Sequence, residues 1–183
     1  MTRKTITPRP ASEDDITQVT AIEAYSNRPP WTKGAFQAEL TKKSSHFWVL
    51  TDDETDEEVF AYAVFSFPHE QAHVQTLAVK KEARRQGLAS DLMRAIINYV
   101  LRNDGESIVL EVRKSNSSAL AMYQQLGFVV IHTVKNCYPD GEEGYSLIYR
   151  YNQAVPKKSE EEDDPLEPLE EDEHTDERPK NIN

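Results

Sequence analysis

The stretch Arg84-Arg85-Gln86-Gly87-Leu88-Ala89 lies between the apolar run 74–79 and a helical pattern that begins near Leu88. A strand that turns through small residues into a helix leaves several backbone N–H groups unpaired and pointing one way. The helix dipole adds partial positive charge there, so the turn is an anion site suited to a phosphate or pyrophosphate. Gly87 allows close approach of a ligand to the backbone, and Ala89 keeps the next position small. No Gly-Lys-Ser/Thr follows, so this is not a P-loop, and the second and third glycines of a dinucleotide fingerprint are missing. An ordinary turn flanked by solvated arginines is the other reading of these six residues. Glu111 lies in the middle of an apolar strand pattern, where a charge needs a cleft, water or a partner. Arg113, two residues on and on the same face, or another cation could be that partner. Tyr123 sits in an apolar stripe with Leu120 and Leu126. There it is either a core tyrosine or a phenol placed to act as an acid.

Other chemistries find little support. His46, His69, His73, His132 and His174 form no metal-ligand set, and no metal is expected. Cys137 has no histidine in a recognisable nucleophile arrangement. As the one cysteine it excludes an internal disulfide framework and suits a reducing, cytoplasmic compartment. The N-terminus lacks the apolar core of a signal peptide, and no apolar run reaches membrane-spanning length. Of the net charge of −11 over 183 residues, positions 157–183 hold twelve acidic and four basic residues, a net of −8. The rest therefore carries −3. Such a body has no broad basic surface for direct binding of nucleic acid.

These residues need a scaffold, and the pattern predicts one. Short strands are expected over 6–9, 46–51, 59–67, 72–79, 107–112, 128–135 and 145–151, the last two around the turn Pro139-Asp140-Gly141. A first helix begins after Ser12, with Asp15 completing a capping box. Its apolar face is Ile16, Val19, Ala21, Ile22 and Tyr25. Thr32 caps a second helix to about Lys42, with Phe36 and Leu40 inward. A third runs over 88–102 with Leu88, Leu92, Ile96 and Tyr99 or Val100 in line. A fourth starts at Asn116 or Ser117 and stops at Gly127. The second to fourth strands form an antiparallel meander, and the fourth and fifth are parallel through a right-handed crossover. The fold class is thus α/β (α+β mixed), a mostly antiparallel mixed sheet flanked by about four helices. The Glu-, Asp- and Pro-rich segment 153–183 is expected to be a disordered acidic tail, leaving 1–152 as one domain.

With this scaffold, Arg84-x-x-Gly87-x-Ala89 resembles the acyl-CoA pyrophosphate loop of the GNAT acyltransferases. The longer block LEVRKSNSSALAMYQQLGF, residues 110–128, resembles the bacterial ribosomal-protein-alanine N-acetyltransferase (RimI-like) branch. Pro29-Pro30-Trp31-Thr32 resembles the Pro-Trp-Ser of that branch, and Cys137-Tyr138-Pro139 its Tyr-Tyr-Pro hairpin. The resemblance covers nearly all of 6–151. It implies acetyl-CoA as cosubstrate, bound by Arg84, Arg85, Gln86, Gly87, Leu88 and Ala89 at the pyrophosphate. Leu77, Ala78 and Val79 would offer strand backbone to the pantetheine, with Asn116 beside it. It further implies Glu111 as the base that receives the amine proton, Tyr123 as the acid facing the sulfur, and Trp31 and Tyr138 at the acceptor.

Three departures fall outside that pattern. Cys137 replaces the first hairpin aromatic, Gly144-Tyr145 replaces Asp-Ala, and Lys80-Lys81 replaces Asp-Pro after the fourth strand. The function implied is direct acetyl transfer to an amine, foremost the N-terminal α-amine of a protein, with a ribosomal protein's N-terminal alanine as best candidate. A small-amine or lysine acetyltransferase keeps the cosubstrate and changes the acceptor. A catalytically silent CoA-binding module is the non-enzymatic alternative.

Overall fold

Seven strands form a single sheet in the order β1-β2-β3-β4-β5-β7-β6 in this computed structural model, which describes residues 7–51 and 56–151. The strands are β1 (Pro8–Pro10), β2 (Ser45–Thr51), β3 (Val59–Ser66), β4 (Gln71–Val79), β5 (Ser107–Arg113), β6 (Val129–Val134) and β7 (Gly144–Arg150). The helices are α1 (Ile16–Ser26), α2 (Lys33–Thr41), α3 (Leu88–Arg102) and α4 (Ser117–Gln125). Neighbouring strands are antiparallel except β4 and β5, which are parallel, as the long crossover through α3 requires. The mostly antiparallel mixed sheet with four helices expected from the sequence is therefore present. The acidic segment 153–183 and the start of the first strand at Ile6 lie outside the described residues.

Caps set the helix starts where the sequence placed them. The Ser12 N–H donates to Asp15 Oδ2 at 2.7 Å across a 3-10 turn at Glu13–Asp15, which precedes α1. Thr32 and Asn116 each accept the N–H three residues on, at 3.2 Å. The periodic apolar face of α3 then packs Leu88, Leu92, Met93, Ile96 and Val100 against Ala63, Phe65, Ala72, Val74, Ile108 and Leu110. On the opposite face, Ile16, Val19 and Ile22 of α1 and Phe36 of α2 pack on Phe47, Val49, Tyr62, Val64 and Ala78.

Two expectations about α1 are corrected. Ala21 and Tyr25 are exposed, and Glu23 is buried in their place. The helix turns its Ile16–Val19–Ile22–Glu23 side to the sheet, and the Glu23 carboxylate finds enough donors there to tolerate burial.

The feature that matters most for function is a bulge. In the β3–β4 ladder Val64 opposes Thr76 while Phe65 opposes Val74, so Gln75 is an extra residue. Parallel pairing of β4 with β5 ends at the same level, Val74 opposite Leu110. A bulge bends its strand and strengthens its twist. Beyond Val74, β4 follows β3, β5 follows β7, and the two middle strands part.

Candidate active site

The parted strands frame the site. Leu77, Ala78 and Val79 stay paired to Ala63, Tyr62 and Ala61 of β3. The edge they turn toward β5 has no strand partner among the described residues.

At the end of β4 the chain makes a short 3-10 turn at Lys81–Ala83 and enters the loop that leads to α3. Arg85 (φ 65) and Gly87 (φ 86) are both left-handed. Gly87 is the N-cap of α3, and in this conformation a Cβ would be strained. The first-turn N–H groups of α3, from Leu88 and Ala89 onward, have no intrahelical acceptor. Arg85, Gln86 and Gly87 are exposed around them. Arg84 behaves differently from a free phosphate ligand. Its Nε donates to the Val79 carbonyl at 3.1 Å and its Nη2 to Ser26 Oγ at 2.9 Å, so it braces the loop against β4 and α1. Asn116 also does structural work, as the cap of α4.

Ile108, Leu110 and Val112 of β5 are buried in the α3 side of the core, so Glu111 and Arg113 point to the other face. The suggested Glu111–Arg113 pair does not form. Glu111 Oε2 instead lies 2.8 Å from His73 Nε2. Arg113 Nη1 reaches Asp140 Oδ2 at 2.8 Å and Glu142 Oε2 at 2.6 Å, and its Nη2 donates to the Arg28 carbonyl. Its guanidinium also stacks 3.9 Å from the centre of the Tyr138 ring. The reason is reach: the hairpin between β6 and β7 brings two carboxylates over Arg113. The parallel ladder puts His73 opposite Val109, one same-face step from Glu111.

His73 holds the Glu111 carboxyl below the usual carboxylate range, against the opposing effect of burial. Tyr123 sits in α4 with its ring 5.6 Å from Phe128. Burial, and then the Tyr138 phenol, push its hydroxyl up to about 12, so it carries its proton at neutral pH. Tyr138 is itself pushed up to about 12, first by burial and then by neighbours that include Cys137 and Glu111. Tyr138 feels Cys137 and Glu111 and acts in turn on Tyr123, so the four groups share one electrostatic neighbourhood beside β5. The Cys137 thiol is pushed up, chiefly by burial, which opposes a nucleophilic role. Cys137 also accounts for Gly144: a Cβ at that glycine would come 2.8 Å from its Sγ.

Trp31 is placed by its neighbours. Its ring packs 5.5 Å from Phe36, and its N–H donates to Glu23 Oε1 at 2.9 Å. The other oxygen of Glu23 accepts from Asn27 Nδ2 at 2.5 Å and from the Tyr62 hydroxyl. The α1–α2 connection is therefore fastened at Trp31 by Glu23 and at Arg28 by Arg113. Sequence reasoning missed Glu23 and His73. A glutamate beside an apolar helical stripe, and an imidazole one register step from a strand carboxylate, were the available signals. Among the described residues no group of three or more His, Cys, Asp and Glu side chains is arranged to hold a metal, and no helix is long and apolar enough to cross a membrane.

A glycine-capped helix start after parted strands, with a carboxylate on β5 where they part and a protonated phenol on the helix that follows, has the layout of an acyl-CoA-dependent transferase. Residues 13–128 match the Acetyltransferase (GNAT) family. The chain belongs to this family and is an N-acetyltransferase. It is 31% identical over 138 residues to the [Ribosomal protein bS18]-alanine N-acetyltransferase of Haemophilus ducreyi, covering 74% of this chain and 92% of that protein. It is 40% identical over 79 residues to an N-alpha-acetyltransferase of Saccharolobus solfataricus, covering 42% of this chain and 47% of the other. Among solved structures, the ribosomal-protein-S18-alanine N-acetyltransferase of Escherichia coli superposes with a TM-score of 0.73 at 25% identity, over 82% of this chain and 96% of that one.

Proposed function

We propose that this enzyme transfers the acetyl group of acetyl-CoA to the N-terminal α-amine of a protein, with the N-terminal alanine of a ribosomal protein as acceptor and the cytoplasm as its place of action. The observation that carries the reading is the parting of β4 and β5 just before Glu111, with Tyr138 and, through it, Tyr123 in the same electrostatic neighbourhood. The similarity to enzymes named for this acceptor supports its narrower half.

The residues present fit the cosubstrate. The amides that open α3 and the left-handed Gly87 suit a pyrophosphate, and the unpaired edge of Leu77–Val79 suits the amide-bearing arm. When bound, acetyl-CoA supplies an activated acetyl group and a thiol leaving group. On the acceptor side, an α-amine has a pKa near ~8 against ~10.4 for lysine, so it is partly neutral at physiological pH. As its nitrogen bonds to carbon it gains positive charge and its N–H becomes acidic; the Glu111 carboxylate accepts that proton. Tyr123 keeps its proton at Oη and offers it as a hydrogen bond to the sulfur as charge builds there. Complete transfer from a phenol near 12 to a thiolate near ~8.5 would be uphill by roughly 5 kcal/mol. Stabilisation of the developing charge is therefore the larger part of its contribution.

Acceptor recognition falls to the two loops that Arg113 ties together, the α1–α2 connection with Trp31 and the hairpin with Tyr138. The test is CoA release from acetyl-CoA with peptides that start with Ala, Ser, Gly or Met, each with a free or blocked α-amine, and with spermidine. Turnover confined to free α-amines, highest for Ala, is expected. Turnover of blocked lysine peptides or spermidine would overturn the N-terminal reading and leave the family assignment standing.

A further inference from the structure

Glu111 is not a lone carboxylate. His73 lies on β4 just before the bulge, where the chain is still held in the parallel ladder with β5, and its Nε2 is 2.8 Å from Glu111 Oε2. We propose that His73 positions Glu111 for catalysis and that its protonation state decides when that carboxylate can accept a proton. This rests on the reading that Glu111 receives the amine proton.

The geometry divides the carboxylate. Nε2–H donates to Oε2 and fixes the plane of the group, which leaves Oε1 free for the acceptor amine. The bond persists whether the imidazole is neutral or charged, because Nε2 can carry its proton in both states. The two states differ in charge. An imidazolium cancels much of the pull that Glu111 exerts on a proton; a neutral imidazole leaves the carboxylate its full basicity. Both side chains are partly exposed, 44% for His73 and 36% for Glu111, so the imidazole exchanges protons with water without passing them through the reacting groups.

The other charged and titratable neighbours do not substitute for it. Arg113 spends its charge on Asp140 and Glu142. His132, two strands away on β6, acts on Glu111 only through the field. Cys137 and Tyr138 stay neutral, because burial pushes the pKa of each up. His73 itself titrates above the ordinary 6.5, because its hydrogen bond to Glu111 outweighs its burial.

The test is kcat against pH at saturating acetyl-CoA and a peptide with a free N-terminal alanine, so that the pH dependence is that of the complex. The wild type should show an acid limb with a midpoint above 6.5. His73→Gln keeps a donor for Glu111 but does not titrate. It should retain most of the plateau rate and move the limb down by more than about one pH unit. His73→Ala should also lower the plateau, by about 10-fold. An unmoved limb in His73→Gln would overturn the proposal. A second readout needs no turnover: the His73 imidazole, followed by NMR in the whole chain, should titrate about one unit lower in Glu111→Gln than in the wild type. An unchanged midpoint would mean the pair does not form and would equally overturn the inference. If Glu111→Gln turns over normally while NMR still shows the pair, the base assignment fails. The pair is then structural, and the inference falls with it.

Discussion

The two sides of the opening are built by different means. The proposed cosubstrate side is backbone on an apolar foundation: β4, the Gly87 turn and α3, held by Leu88, Leu92, Ile96 and Val100 packed on the sheet. The proposed acceptor side is a set of loops sewn together by charge. Glu23 holds Trp31 and Asn27, while Arg113 holds Arg28, Asp140 and Glu142. A ligand common to a whole family can be read by main-chain groups that hardly depend on side-chain identity. An acceptor that differs between members is better met by loops whose few polar ties can be rearranged without disturbing the core. In this chain two of the three departures, Cys137 and Gly144-Tyr145, fall on the acceptor side, where Cys137 packs directly on Gly144, and the third, Lys80-Lys81, falls on the cosubstrate side.

If that division is right, damage on the two sides should separate kinetically. The largest effect belongs to Gly87→Glu. It forces a side chain into a left-handed position and puts a carboxylate where a pyrophosphate should sit. Acetyl-CoA binding measured by calorimetry should be lost, with the fold retained by circular dichroism. Binding within 3-fold of the wild type would break the assignment of this loop. Next is Tyr123→Phe, which removes one hydroxyl and nothing else from the core. Loss of a single hydrogen bond to developing charge should lower kcat on the order of 10²-fold, with acetyl-CoA affinity unchanged. Full activity across pH would remove Tyr123 from the mechanism.

The same division explains what was legible in the sequence. Caps, apolar periodicity and the Gly87 turn are local signals. Ser12, Thr32, Asn116 and the 88–102 helix are accordingly found where their residue types put them. The ties across the acceptor side span 29 residues for Arg113–Glu142, 38 for His73–Glu111 and 39 for Glu23–Tyr62. Nothing local marks such partners. Glu111 and Arg113 share a strand face and look like a pair until the β6–β7 hairpin and β4 bring in competitors. The bulge at Gln75 was equally hidden, because its cause is the mismatch of two ladders and not a residue type.

Arg113 offers the sharpest test of the acceptor side. Arg113→Met keeps much of the stem that lies on Tyr138 but removes every charged tie to Asp140, Glu142 and Arg28. The KM for an N-terminal alanine peptide should rise about 10-fold, as expected for losing roughly 1.4 kcal/mol of positioning. The KM for acetyl-CoA should stay put. If both rise together, the two sides are one unit and the contrast drawn above fails.

The smallest effect is one of pH. Ser115, through its hydroxyl and N–H, and then Arg113 draw the Glu142 carboxyl from the ordinary 4.5 down to about 2. Because the folded value is the lower one, the stabilisation from this carboxylate is fully present above 4.5 and is lost as pH falls toward about 2. Glu142→Gln removes it at every pH. The melting temperatures of the two proteins should therefore differ most near neutrality, by a few degrees at most for a group that solvent still reaches. They should converge as the pH is lowered between those limits. A difference that stays constant to pH 3 would mean that shape and not charge anchors the hairpin, and that the acceptor side is held much as the cosubstrate side is.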